Sequence, residues 1–252
     1  MSEKLPLIQF WNDETAPDDV QELFERVREH NPDLEQMVFS ENTARALIDE
    51  YLSAREVAAF NACAVPAMQA DYFRYCAVYV LGGFYCDADC FCAGSISPLL
   101  DAEGFLVESM AISGALNNNL FAFRDPGHLL PKLAMDIATA AVECRVSNKV
   151  SAVTGPFVFN LLWRGFKHGS LDAWLREAEG SSGLAGKSER VARLVEAIRV
   201  AIGGDSELAS AFDGVQIVAW EDILDVINPG SNDLSYKKTG NHFPKWEGSI
   251  YR

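Results

Sequence analysis

Residues 70–90, ADYFRYCAVYVLGGFYCDADC, constrain this chain more than any other stretch. Ala70, Phe73, Ala77 and Val80 recur at intervals of three and four, which predicts a helix with one apolar face. Asp71 and Arg74 lie three apart and project together from a neighbouring face. Gly82-Gly83 should end the helix, because glycine takes the positive φ of a helix C-terminus without a steric penalty. Phe84-Tyr85-Cys86 then reads as a short buried strand that delivers Asp87-Ala88-Asp89 at its far end. Residues two apart on a strand share a side, so both carboxylates are expected to face one point, where a divalent cation could sit.

The flanking sequence places that stretch in an α/β domain. Residues 5–10 read as a first strand ending at Trp11. Asp18-Asp19 is expected to cap a helix whose Val20, Leu23, Phe24 and Val27 form an apolar stripe, and Asn31-Pro32 should stop it. A second strand at 37–39 and a second helix at 40–52 complete an alternation that argues for a parallel sheet with packed helices. Ligands gather at the carboxyl ends of such strands, and Trp11 and Asp87 both fall there. Further strands are expected at 105–107, 115–123 and 215–219, and a helix at 129–144. Thr154-Gly155-Pro156 should break the chain before a short helix through Trp163. Residues 169–204 read as a helical elaboration, with Gly180-Ser181-Ser182-Gly183 as an exposed connection, and 228–240 as a loop. The chain, 1–252, is expected to form a single α/β domain with a mostly parallel sheet flanked by helices.

Charge narrows the partners. A net charge of −15 argues against nucleic acid, which requires a basic face. An anionic substrate such as a nucleoside diphosphate would need a metal or local basic groups to offset the field. Lys237, Lys238, Lys245 and Arg252, against Glu247, supply some, although such a run also suits a solvated tail. No apolar run approaches the roughly 20 residues of a membrane span, and the N-terminus lacks the features of a signal peptide. A soluble, cytoplasmic protein is expected; peripheral membrane contact and oligomeric state stay open. Cys86, Cys90 and Cys92 suggest zinc only until a fourth ligand is sought, and none stands at suitable spacing. Buried free thiols are expected instead.

A D-x-x-R helix, a Gly-Gly break, an aromatic strand and D-x-D in tight succession are a specific combination. Here the sequence resembles the glycosyltransferases whose sugar-binding region carries a DXD motif, of the capsular-polysaccharide and yeast α-mannosyltransferase type. It is similar, more remotely, to the sugar-transferring domain of the large clostridial toxins. The resemblance is tight over 66–92 and looser over 5–156, with an echo at the C-terminus. It implies a Rossmann-like GT-A fold. It also implies metal-dependent transfer of a hexose, with retention, from a nucleotide-sugar to a saccharide or lipid-linked glycan acceptor. The donor would be a UDP-sugar ahead of a GDP-sugar, and the cofactor Mn2+ or Mg2+.

The same resemblance assigns roles. Asp89 is the metal ligand, Asp87 contacts ribose and sugar hydroxyls, and Asp71 and Arg74 hold the hexose. Asp87, Asp89 and Arg74 form the catalytic set. Trp11 stacks on the nucleobase. A closing segment at about 236–252 brings His242 to the metal and Trp246 and Ser249 to the phosphates. Asn118, Asn119 and residues 154–156 fall around the sugar and acceptor. The residues alone admit plainer readings: an i, i+3 ion pair for Asp71 and Arg74, a core position for Trp11, and solvated loop acids for Asp87 and Asp89. Three other functions stay open: transfer to a protein, a metal-dependent phosphohydrolase, and a non-catalytic sugar-nucleotide-binding module. The hydrolase needs a downstream lysine and a second acidic cluster that the sequence does not place, and no residue stands out as a nucleophile.

Overall fold

The computed structural model describes residues 4–110, 112–170, 172–174, 189–228, 234–238 and 248–252. The strands in chain order are β1 (Pro6–Phe10), β2 (Glu35–Phe39), β3 (Gly83–Cys86), β4 (Phe91–Cys92), β5 (Gly104–Glu108), β6 (Leu116–Phe123), β7 (Val215–Val218) and β8 (Ile227–Asn228). Among the described residues the helices are α1 (Asp18–His30), α2 (Glu41–Tyr51), α3 (Ala54–Ala62), α4 (Pro66–Leu81), α5 (Leu129–Cys144), α6 (Val150–Val153), α7 (Phe157–His168), α8 (Glu189–Ile202) and α9 (Asp205–Ala211).

Six strands form one sheet in the order β2-β1-β3-β6-β5-β7. β1 pairs in parallel with both β2 and β3, and β5 with β7, while β6 runs antiparallel to β3 and β5. Only β6 therefore opposes the common direction, so the sheet is mostly parallel, as expected. Leu7 and Ile8 of β1 are both buried, as befits a strand covered on two faces. β4 and β8 form a separate antiparallel pair. The chain goes from β1 to β2 on one side and returns to β3 on the other. A crevice opens at the carboxyl edge of a sheet where strand order reverses in this way.

α4 departs from the expected one-sided helix. Asp71, Tyr72, Phe73, Arg74, Tyr75, Cys76, Ala77 and Val78 are all buried, because the helix lies between the sheet and α2 and α5. A helix wrapped on every side needs no polar face. Pro66 sits in its first turn, where the missing N–H costs nothing. At its other end Gly82 and Gly83 have φ of 68° and 79°, as the Gly-Gly pair led one to expect.

Other boundaries differ in detail. Pro17, not an aspartate, is the N-cap of α1; Asp18 and Asp19 occupy its first turn, where their charge complements the helix dipole. The region after α2 holds a further helix, α3, opened by a capping box between Ser53 and Glu56. α7 continues past Trp163 to His168 and ends at Gly169 with φ 66°. Within the expected elaboration α8 packs on α5, while residues 171 and 175–188, with Gly180-Ser181-Ser182-Gly183, lie outside the described residues. The terminal residues are tied down: the Ala64 N–H donates to Ile250 O at 2.9 Å, the Arg252 N–H to Ala62 O at 2.8 Å, and Arg252 pairs with Glu41. No helix among the described residues is long and apolar enough to cross a membrane.

The entry into β3 is sterically closed. A Cβ at Gly83 would lie 2.2 Å from the Pro6 carbonyl oxygen at φ 79°. Gly83→Ala should therefore cost at least about 2 kcal/mol in urea unfolding, combining a clash with left-handed strain. Gly127 has φ 78° with nothing within 4 Å, so Gly127→Ala should cost only about 1 kcal/mol.

Candidate active site

At the reversal point, the carboxyl ends of β1 and β3 meet the first half of α4 around a cavity of about 530 Å3. Phe10 and Trp11 enter it from β1, Asp71 and Arg74 from α4, and Asp87, Ala88 and Asp89 from the turn after β3. Five of the expected site residues thus share one cavity.

Arg74 organises its inner wall. The side chain is 4% exposed, and its Nη2 lies 2.9 Å from Asp71 Oδ1 and 3.0 Å from Asp87 Oδ1. Its Nε donates to Ala70 O at 3.2 Å and its Nη1 to Asn118 O. The guanidinium also lies 4.6 Å from the ring centre of Tyr85. The pair is therefore more than an i, i+3 surface bridge. Tyr85 Oη donates to Asp87 Oδ1 at 3.0 Å, and Asn118 Nδ2 donates to Asp71 Oδ1 and to Tyr75 Oη, each at 3.0 Å. Tyr75 Oη in turn donates to Gly155 O at 3.1 Å. A Cβ on Gly155 would come within 3.1 Å of Asp71 Oδ2, so glycine there leaves room for the carboxylate.

The D-x-D geometry has a different origin from the one expected. β3 ends at Cys86, and Asp87-Ala88-Asp89 forms a turn closed by the Cys90 N–H on Asp87 O at 3.1 Å. Strand alternation therefore does not align the carboxylates; the turn brings both to the cavity. Burial raises the pKa of Asp87 to about 7, with Arg74 opposing and the charge of Asp89 reinforcing the shift. Burial also raises Asp71, against the pull of Arg74 and the Asn118 bond. Cys86, Cys90 and Cys92 flank the turn as buried free thiols.

The remaining expected residues are placed unevenly. Asn118 is buried and directs its amide at Asp71, and neither it nor Asn119 lines the cavity. Ser249 lies in the terminal segment, where its Oγ accepts from the Tyr251 N–H at 3.1 Å, and it too is not among the lining residues. His242 and Trp246 lie outside the described residues.

Ser235 and Tyr236 line the other side, and Lys237 follows them in the chain. Ser235 donates from its N–H and Oγ to Asp19, at 2.6 and 2.9 Å. Tyr236 packs edge-on against Trp11 with ring centres 5.1 Å apart, and its Oη donates to Asp89 Oδ2 at 2.9 Å. Lys237 Nζ lies 2.6 Å from the same oxygen. Two sequence signals point here: the basic composition of the tail, and the closing segment at about 236–252 that the family resemblance implies.

Among the described residues no three metal-ligating side chains converge. Mg2+ or Mn2+ is nonetheless commonly held by one or two carboxylates, with phosphate and water completing the shell. Asp87 and Asp89, two hard oxygen donors on one cavity wall, fit that pattern.

Residues 17–106, a little over a third of the chain, match the family described as "Glycosyltransferase sugar-binding region containing DXD motif". The match contains Asp71, Arg74, Asp87 and Asp89. A solved structure described as "PaToxG Glycosyltransferase" is similar at 16% identity, covering 78% of this chain and 87% of that one, with a TM-score of 0.49. A comparison with curated proteins finds no match. Residues 17–106 are thus similar to a glycosyltransferase sugar-binding region, and they lie within a mixed α/β fold.

The raised pKa of Asp87 has a stability consequence. Between about pH 4 and 7 the folded state holds a proton that the unfolded carboxylate has released, so this contribution is present at low pH and lost as pH rises through about 7. Urea midpoints of the wild type should fall from pH 5 to 8 relative to those of Asp87→Asn. A pH-independent difference between the two would contradict the assignment.

Proposed function

We propose that this enzyme moves a hexose from a nucleoside-diphosphate sugar, a UDP-sugar ahead of a GDP-sugar, to a saccharide or lipid-linked glycan. The reading takes Mn2+ or Mg2+ as cofactor, retention at the anomeric carbon, and the reducing cytoplasm as the setting. One observation carries it: Trp11, Asp71, Arg74, Asp87 and Asp89, from three separate stretches of chain, line a single cavity.

Each residue has a task that suits its chemistry. Trp11 offers a flat ring to a nucleobase. Asp71 accepts hydrogen bonds from sugar hydroxyls, held in orientation by Arg74 and Asn118. Asp89, with Asp87 beside it, would hold the cation, which supplies Lewis-acid neutralisation of the diphosphate leaving group when bound. Arg74 keeps Asp71 and Asp87 in place and offsets their charge. The acceptor hydroxyl attacks the anomeric carbon as the bond from that carbon to the phosphate oxygen breaks. With retention, attack from the departing side lets a donor phosphate oxygen take the hydroxyl proton, so no protein nucleophile is required. The buried state of the Arg74 network supports this division of labour, since preorganised charges do not reorient during reaction.

In a thermal-shift screen, UDP or a UDP-sugar with Mn2+ should raise the melting temperature of the wild type by mass action. Asp89→Asn should remove the Mn2+-dependent part of that shift and lower transfer by about 100-fold or more. Trp11→Ala should weaken UDP binding by about 1–3 kcal/mol, the value of one base–aromatic stack. Turnover of a simple phosphate ester without any nucleotide would favour the hydrolase instead.

A further inference from the structure

The donor reading leaves a charge problem that the described residues answer at Lys237. A diphosphate entering this cavity meets Asp71, Asp87 and Asp89. Arg74 cannot turn to meet it freely, because its Nε, Nη1 and Nη2 are already committed to Ala70, Asn118, Asp71 and Asp87. Lys237 is the other cationic side chain in contact with a site carboxylate among the described residues.

We propose, resting on that donor reading, that Lys237 is a donor-phosphate-binding residue that exchanges partners. Without donor its ammonium neutralises Asp89; when a cation takes Asp89, the ammonium is released to a phosphate oxygen of the nucleoside diphosphate. Cation and diphosphate carry opposite charges, so their joint entry replaces one ion pair by two. An ammonium on a flexible four-carbon stem suits such a transfer better than a rigid guanidinium locked in a fork.

Three features support the exchange. Lys237 and Asp89 side chains are 10% and 23% exposed, so the pair is partly shielded from water and each charge needs a counter-ion. The same Asp89 oxygen accepts from Tyr236, whose ring packs on Trp11, so one short segment touches both the carboxylate and the aromatic wall. Ser235 anchors that segment to Asp19 at the start of α1, which fixes the backbone beside Lys237 so that only its side chain need move in the exchange.

The exchange predicts opposite effects from one substitution, which a merely structural role would not produce. Mn2+ alone is titrated by its EPR signal without nucleotide, and UDP, with GDP in a parallel arm, is titrated by calorimetry at saturating Mn2+. Lys237→Met should bind Mn2+ several-fold more tightly than the wild type, since a competing cation is gone. It should bind UDP at least about tenfold more weakly, the loss expected when a hydrogen bond between charged groups is removed. Lys237→Arg should restore most of the UDP affinity. UDP affinity unchanged in Lys237→Met, or Mn2+ and UDP affinities falling in parallel, would overturn the inference alone. A wild type that binds neither nucleotide with Mn2+ present would overturn the donor reading and this inference with it.

Discussion

Arg74 holds the site together because a guanidinium taken out of water must have its hydration replaced group by group. Its partners come from different parts of the fold: Asp71 and Ala70 from α4, Asn118 from β6, and Asp87 from the turn after β3. One charge therefore ties a helix, an antiparallel strand and the Asp87–Asp89 turn to one another. Asp71, 12% exposed, and the half-buried Asp87 would repel without it. Arg74 opposes the rise that burial imposes on Asp87, whose pKa stands at about 7.

The same helix, α4, presents Asp71 and Arg74 to the crevice at the ends of β1 and β3 while it packs against α2 and α5. The Gly82-Gly83 reversal then brings β3 close alongside β1, where the carbonyl of Pro6 leaves no room for a side chain. Position in the sheet and identity of the site are thus set by the same few residues.

Much of this was legible in the sequence because its determinants are local. The D-x-x-R spacing, the glycine pair and the aromatic strand lie within about one turn or one strand of each other, where periodicity carries information. The proximity of Asp87 and Asp89 was anticipated, but through strand alternation, whereas a turn closed by the Cys90 N–H brings it about. Helix α3 is hard to read from sequence despite the Ser53–Glu56 capping box, since its nine residues carry only a weak apolar stripe. Asp19, in the first turn of α1, holds Ser235, more than two hundred residues away in sequence. Tyr236 reaches Asp89 across 147 residues, and Lys237 beside it reaches the same oxygen. No spacing rule can anticipate contacts of that kind, which exist only once the tail has crossed the crevice.

In an acidic protein the cations set against carboxylates carry local weight: Arg74 is locked inside the network, and Lys237 pairs with Asp89. The most direct measurement is a crystal soaked with UDP and Mn2+, with diffraction collected at the manganese absorption edge. The account predicts a single strong anomalous peak beside Asp89, with the uracil density against Trp11 and the Arg74 bridges to Asp71 and Asp87 intact. Nucleotide density outside this crevice, or a manganese peak remote from Asp89, would contradict it.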